Sequence, residues 1–237
     1  MARIVVLSDT HGMHRSVKVP EGDILIHCGD FTGHGTVEEA DAFAQWMAAQ
    51  PCAHKVAVPG NHDTCTDPHH RLGSVEKARA TEAAFRRHGV TLLVGAAMKI
   101  HGLKIYGSPV TPEFCGWAHM LERGLPLQQH WRRIPDDTDI LVTHGPPYGK
   151  GDLAPIGGRV GCEALLERVL RVKPFLHCFG HIHEGHGAGR LWVDGVGDEV
   201  GPDEGWWCNA AVLDGQYRLA HKPQVLEVEA KAKGVKA

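Results

Sequence analysis

No stretch of this 237-residue chain approaches the roughly 18 consecutive apolar residues that a membrane helix requires. The opening MARIVVLSDT turns polar too soon for a secretion signal. Both absences predict a cytoplasmic protein without a membrane partner. No C-x-x-C pair occurs among Cys28, Cys52, Cys65, Cys115, Cys162, Cys178 and Cys208, which argues against a zinc knuckle and a disulfide framework. Several of these stand in apolar, strand-like runs, where a free thiol packs as a small hydrophobe. Basic clusters are missing too. The net charge is −3 and Lys and Arg form no stripe, so no dedicated nucleic-acid surface is expected. Residues 1–220 contain no repeat, low-complexity segment or linker and read as one domain, with 221–237 as a basic, flexible tail.

What is present is an ordinary globular composition, 43% hydrophobic and 22% charged, in a chain long enough to bury a substantial core. Short apolar runs end abruptly and read as buried strands: RIVVL (3–7), DILIHC (23–28), HKVAV (54–58), DILVT (139–143) and PFLHCF (174–179). Thr36 to Gln50 opens with Thr36 and Glu39 at capping-box spacing, and Val75 to His88 is helical up to Gly89. Glu163 to Val172 is a third helix, ended by Pro174. VTLLVGAAMKIHGLKIYGS and GWWCNAAVLDGQYRLA read as strands paired by turns, which makes the sheet mixed.

Histidine occurs 18 times, and its placement matters more than its number. Five strands each release Asp, Asn or His at the carboxyl end, usually beside glycine. The corners are Ser8-Asp9-Thr10-His11-Gly12, Gly29-Asp30, Gly60-Asn61-His62-Asp63, Thr143-His144-Gly145 and Gly180-His181-Ile182-His183. That edge is where open α/β sheets bind ligands. A polar turn residue explains any one of these singly, whereas five in order point to a constellation. In an extended His181-Ile182-His183 segment both imidazoles would point one way. Carboxylates mixed with imidazoles suit Mn, Fe, Zn, Ni or Co better than Ca or Mg. There are too many donors for one ion, and one aspartate able to bridge suits a two-metal site that activates water and clamps a phosphoryl group.

The ordered fragments Asp-x-His, Gly-Asp, Gly-Asn-His-Asp, Thr-His-Gly and Gly-His-x-His resemble the calcineurin-like metallophosphoesterases. The segments GLKIYGSPVTPEF, IPDDTDILVTHGPPYGKGD, VGCEALL and FGHIHEGHG are similar to the metallophosphoesterase-domain-containing subfamily, linked to cyclic-nucleotide and other phosphodiester hydrolysis. The resemblance spans roughly residues 3–213. It implies an α/β fold, a two-sheet mixed sandwich flanked by helices, with two divalent transition ions, Mn first among them. It places Asp9, His11 and His183 on one ion, Asn61, His144 and His181 on the other, and Asp30 between them. His62 stays off the metals and, with Asn61, faces a small phosphodiester or nucleotide substrate, His62 assisting the leaving oxygen. Asp63 is expected to hydrogen-bond the other His62 nitrogen. His186 has no place in that ligand set.

Departures narrow the expectation. The family's protein phosphatases carry arginines after Gly-Asp and before Gly-Asn-His; here Gly33-His34-Gly35 and Pro59 stand instead, which favours singly charged diesters over dianionic monoesters. Gly33 also stands where purple acid phosphatases have a ligating tyrosine. A nuclease, a broad phosphomonoesterase or a metal-bearing docking module are the alternatives. Phe114, Trp117 and Tyr148 suit either base stacking or loop packing, and Pro146–Gly161 suits a lid or a surface loop. Asn209 suits a core strand better than a water contact, and His69 and His70 read as surface residues. Oligomeric state leaves no signal in the sequence.

Overall fold

The computed structural model describes residues 2–155, 157–191 and 205–228. Strand β1 (Ala2–Leu7) and β2 (Gly22–His27) precede helix α1 (Val37–Ala48), β3 (Cys52–Ala57), α2 (Val75–Arg87) and β4 (Thr91–Leu92). Then come β5 (Ala96–Ile100), β6 (Leu103–Ser108), β7 (Thr111–Pro112), β8 (Met120–Leu121), α3 (Leu125–Trp131) and β9 (Ile140–Thr143). The remainder is β10 (Leu153–Ala154), β11 (Gly158–Arg159), α4 (Glu163–Val172), β12 (Leu176–Phe179), β13 (Gly187–Arg190), β14 (Trp206–Asn209) and β15 (Gln224–Val228). No helix among the described residues is long and apolar enough to cross a membrane.

Two mixed sheets result. One runs β15-β1-β2-β3-β4, with β15 antiparallel to β1 and the rest parallel. The other runs β13-β14-β12-β9-β6-β5, parallel inside and antiparallel at both edges. Alternation along each strand decides what meets what. Ile4, Val6, Ile24, Ile26 and Val56 of the first sheet pack against Ile105, Ile140, Val142, Leu176 and Cys208 of the second. The opposite side of the first sheet, Val5, Leu7 and Leu25, is covered by Phe43, Met47 and Phe85 from α1 and α2. Tyr106 and Leu141 of the second are covered by Leu127, Trp131, Leu165 and Val169 from α3 and α4. Sheets buried on both faces need the near-continuous apolar runs seen in the sequence.

The capping box of α1 is present: Thr36 Oγ1 accepts from Glu39 N (3.2 Å) and Glu39 Oε2 from Thr36 N (3.3 Å). Helix α2 stops before Gly89, whose φ is +72°. The β5–β6 hairpin turns on His101 and Gly102, both at positive φ, the signature of a type I′ turn. Two expectations need correcting, and one element went unread. The 221–237 segment is not a free tail throughout, because Gln224–Val228 forms edge strand β15 along β1; residues 229–237 lie outside the described ones. In GWWCNAAVLDGQYRLA only β14 is a strand, and its antiparallel partner is β13, while Leu213 and Leu219 share a single bridge. Helix α3 was not legible, because seven residues are too few to display a helical period.

Candidate metal centre

The carboxyl ends of β1, β2, β3, β9 and β12 converge on one edge. The corners after β1 and β2 are laced together, with Asp9 N donating to Gly29 O and His11 N to Asp30 O, both at 2.9 Å. The backbone is strained here. Asp9, His11, Asp30 and His181 have φ of +56°, +40°, +56° and +68°. Each such residue costs about 1–3 kcal/mol and persists only where its surroundings over-determine it. Glycine permits the close approach: a Cβ on Gly180 would lie 2.0 Å from Asp9 Oδ2, and one on Gly60 2.1 Å from Asp30 Oδ1. Backbone donors then aim both carboxylates. His181 N donates to Asp9 Oδ2 (2.9 Å) and His62 N to Asp30 Oδ1 (2.8 Å). Because His181 is left-handed and His183 begins a 3-10 turn, the His181–His183 segment is not extended, and its two imidazoles join different groups.

Asp9, His11 and His183 present donor atoms within 4.8 Å of one another, and so do Asp30, His144 and His181. A third group, His11, Asp30 and His62, overlaps the first two. Asp30 Oδ2 lies 3.5 Å from His11 Nε2 and 3.4 Å from His144 Nε2, which puts it between the sets; His183 Nε2 lies 3.5 Å from Asp9 Oδ1. These spacings are long for hydrogen bonds. Donor atoms at that separation could share one cation. Asn61 Oδ1 joins the second set, 2.8 Å from His144 Nε2. His144 Nδ1 donates to Cys28 O and His183 Nδ1 to Asp214 O, both at 2.9 Å, so each ring turns Nε2 to the centre. His11 Nε2 is buried with no hydrogen-bond partner among the described residues, an orphan that an ion would satisfy. The donor set fits two ions.

Electrostatics agree. Burial opposes charge on His144, yet Asp30 outweighs it and lifts its pKa to about 9. Burial likewise opposes charge on His183, and the Asp9 contact lifts it to about 9. Burial lowers His11, and it lowers His181 to about 4 with the help of His144. Asp9 and Asp30 stay ionised against burial, because His183 and His144 face them. The centre thus offers two carboxylates and holds two protons that an incoming cation would displace.

All seven predicted ligand residues therefore stand together, and His62 stands beside them. Its ring meets His11 edge-on at 4.7 Å and stacks on Trp117 at 4.2 Å and 27°. Asp63 is the correction. Its carboxylate does not reach the His62 ring; it accepts from Gly60 N (2.7 Å), Phe31 N (3.3 Å), Thr32 N (2.9 Å) and Thr32 Oγ1 (2.7 Å). It clamps the β2 corner to the β3 corner, and burial plus the Asp30 charge raise its pKa to about 7.

Trp117 joins the site through His62, while Phe114 and Tyr148 have no ring contact among the described residues. His70 is not simple surface: it donates through Nε2 to Gly116 O (3.2 Å) and, like His69, lines a cavity with Trp117. Asn209 Nδ2 donates to Gly151 O (3.0 Å) and Ile182 O (2.8 Å), so it ties loops together. His186 Nδ1 donates to Ala211 O and the ring stacks on His221, outside every ligand group. Within Pro146–Gly161, Asp152 accepts from Gly149 N, Gly161 N and Arg159 Nη1 and fastens the β10–β11 hairpin. Sequence reasoning missed Tyr217. Its ring meets His11 at 4.9 Å and His183 at 5.2 Å from a left-handed backbone (φ +57°). Nothing local marks it; only the Asp214-Gly215 turn before it could have drawn attention.

Residues 2–185 match the calcineurin-like phosphoesterase family. Metallophosphoesterase domain-containing protein 1 of Homo sapiens is 36% identical over 241 residues, covering 95% of this chain and 71% of the human one. UPF0046 protein K07C11.7 of Caenorhabditis elegans is 38% identical over 190 residues, covering 78% of this chain and 64% of its own. Among solved structures, TT1561 of Thermus thermophilus superposes with TM-score 0.58 at 14% identity over 88% of both chains. The phosphopantetheinyl hydrolase PptH of Mycobacterium tuberculosis superposes with TM-score 0.58 at 14% identity over 90% of both, likewise a likeness of fold. The chain belongs to the calcineurin-like phosphoesterase family and is a metal-dependent phosphoester hydrolase.

Proposed function

We propose that this hydrolase acts on phosphodiesters, cyclic nucleotides among them, at a centre of two divalent transition ions, in the cytoplasm. The observation that carries the dinuclear reading is Asp30 Oδ2, shared at 3.5 and 3.4 Å between His11 and His144. Asp9, His11 and His183 would hold one ion and Asn61, His144 and His181 the other, with Asp30 common to both. Mn is the first choice for reconstitution, ahead of Fe, Zn, Ni or Co. When bound, such ions supply an activated water and charge neutralisation at phosphorus.

The chain's own residues do the rest. Asp30 and Asp9 are aimed by backbone donors, so the ligand frame is set before substrate arrives. His62 lies outside the two ligand sets assigned here, with its ring free of side-chain hydrogen bonds among the described residues. It stands ready to protonate the departing alcohol as the P–O bond breaks and water oxygen bonds to phosphorus. The diester preference rests on Gly33-His34-Gly35 and Pro59, which leave no arginine in the two corners to clamp a dianion.

The test uses metal-stripped protein reloaded with Mn²⁺, assayed on bis-4-nitrophenyl phosphate beside 4-nitrophenyl phosphate, with His62→Ala as control. The expected result is metal-dependent turnover, faster on the diester and lost in His62→Ala. Faster monoester turnover would refute the diester reading. No turnover by protein carrying two ions would leave a docking module.

A further inference from the structure

Trp117 is shared between two places. It stacks on His62 and also walls a cavity of about 280 Å³. That cavity is lined by His69, His70 and Arg71 from the loop after β3, and by Trp117 and Met120 from the segment between β7 and α3. The two loops are bound to each other. His70 Nε2 donates to Gly116 O (3.2 Å), His119 N to Asp67 Oδ2 (2.8 Å), and Thr66 Oγ1 lies 2.7 Å from His119 Nε2. Cys115, Gly116 and His119 adopt positive φ to make that segment fit (59°, 64° and 57°). The tied loops therefore shape an open surface depression that begins one indole away from the histidine assigned to the leaving group.

Its lining holds one carboxylate and one guanidinium, which differ in availability. Asp67 is the lining carboxylate, and its two oxygens already accept from His69 N (2.9 Å) and His119 N (2.8 Å). Arg71 has no hydrogen bond or carboxylate partner among the described residues, and it is exposed. An unpaired guanidinium beside two imidazoles and an indole suits a flat organic fragment carrying negative charge.

We propose that this cavity is a leaving-group subsite, taking diesters whose released alcohol bears an anionic group, and that Arg71 recognises that group. The proposal rests on the diester reading above, since it is His62 that places the leaving alcohol on this side. Arg71 here sets specificity; it does not touch the reacting phosphorus.

The experiment compares methyl 4-nitrophenyl phosphate with methyl 3-carboxy-4-nitrophenyl phosphate, which differ by one carboxylate on a chromogenic leaving group. Both are assayed on Mn²⁺-loaded wild type, Arg71→Lys and Arg71→Glu. Wild type should show the higher kcat/KM for the carboxylate probe, through a lower KM. Arg71→Lys should keep that preference, and Arg71→Glu should move the ratio of the two kcat/KM values by roughly fivefold or more toward the neutral probe. Turnover of both probes without discrimination by wild type, or a ratio unmoved in Arg71→Glu, overturns the subsite while leaving the diester reading intact. Turnover of neither probe overturns both.

Discussion

Gly60→Ala is the sharpest test of the metal frame, because it touches the shared ligand without removing it. A Cβ at this position would lie 2.1 Å from Asp30 Oδ1, 2.4 Å from Asp30 N and 2.6 Å from His144 Cε1. An unstrained carbon–oxygen contact needs about 3.3 Å, so Asp30 must retreat by about 1 Å. Metal–ligand distances tolerate about 0.2 Å. Asp30 stands between both sets, so the loss should fall on both ions, at least about 100-fold in affinity each. The fold should survive, since overpacking of this kind costs about 1–3 kcal/mol. Ion content per chain after dialysis at micromolar Mn²⁺, read beside a thermal melt, is the assay. Gly102→Ala is the control: its φ of +81° imposes backbone strain, but no atom lies within 4 Å of the new Cβ. That variant should lose about 1–2 kcal/mol and keep its metals. A folded Gly60→Ala that binds two ions as wild type does would refute the geometry drawn around Asp30.

Three other outcomes are expected. Uptake of two ions should release about two protons below pH 9, because His144 and His183, both lifted to about 9, must shed theirs; an indicator dye in weak buffer reads this, and uptake without acidification would contradict it. Acid should destabilise the fold through His27 and His177, which burial lowers to about 3 from 6.5. Between those values the unfolded chain binds more protons, so unfolding free energy falls as pH falls, by about 4 kcal/mol per histidine at most. Urea midpoints for His177→Gln should therefore drop less between pH 7 and 5 than those of wild type, and equal drops would count against the assignment. Trp117→Ala should lower kcat about tenfold, more for diesters with poor leaving groups, while Trp117→Phe stays within about twofold. A change confined to KM would show that the stack does not position His62.

The ligand set was legible because each strand ends where it must expose polar backbone, and an Asp, Asn or His beside glycine at such an end has few structural duties. Counting them in order reached a pool that also held His62 and Asp63; the family resemblance then picked out Asp9, His11, Asp30, Asn61, His144, His181 and His183, and the sheet order brings those ends to one edge. The helices on either side were legible for an equally local reason, their caps. Tyr217 and helix α3 were not, since the first depends on a turn meeting the site from residues far along the chain and the second is too short to show its period.

Asp63 shows where pattern reading stops. A carboxylate one residue from the histidine proposed to assist the leaving group looks like its orienting partner, and adjacency makes that reading easy. The backbone decides otherwise. His62 donates its N–H to Asp30, while the Asp63 carboxylate turns the other way and collects four donors from Gly60, Phe31 and Thr32. The ring of His62 is then held by a residue 55 positions away in sequence, Trp117, reached only because Cys115, Gly116 and His119 accept left-handed conformations. Those conformations carry no strong sequence signal outside glycine, so a link made of them is invisible until the loop is seen folded. The same loop brings Trp117 beside Arg71. If the Arg71 and Trp117 variants act on the same leaving-group dependence, positioning of His62 and recognition of the alcohol are two functions of one indole.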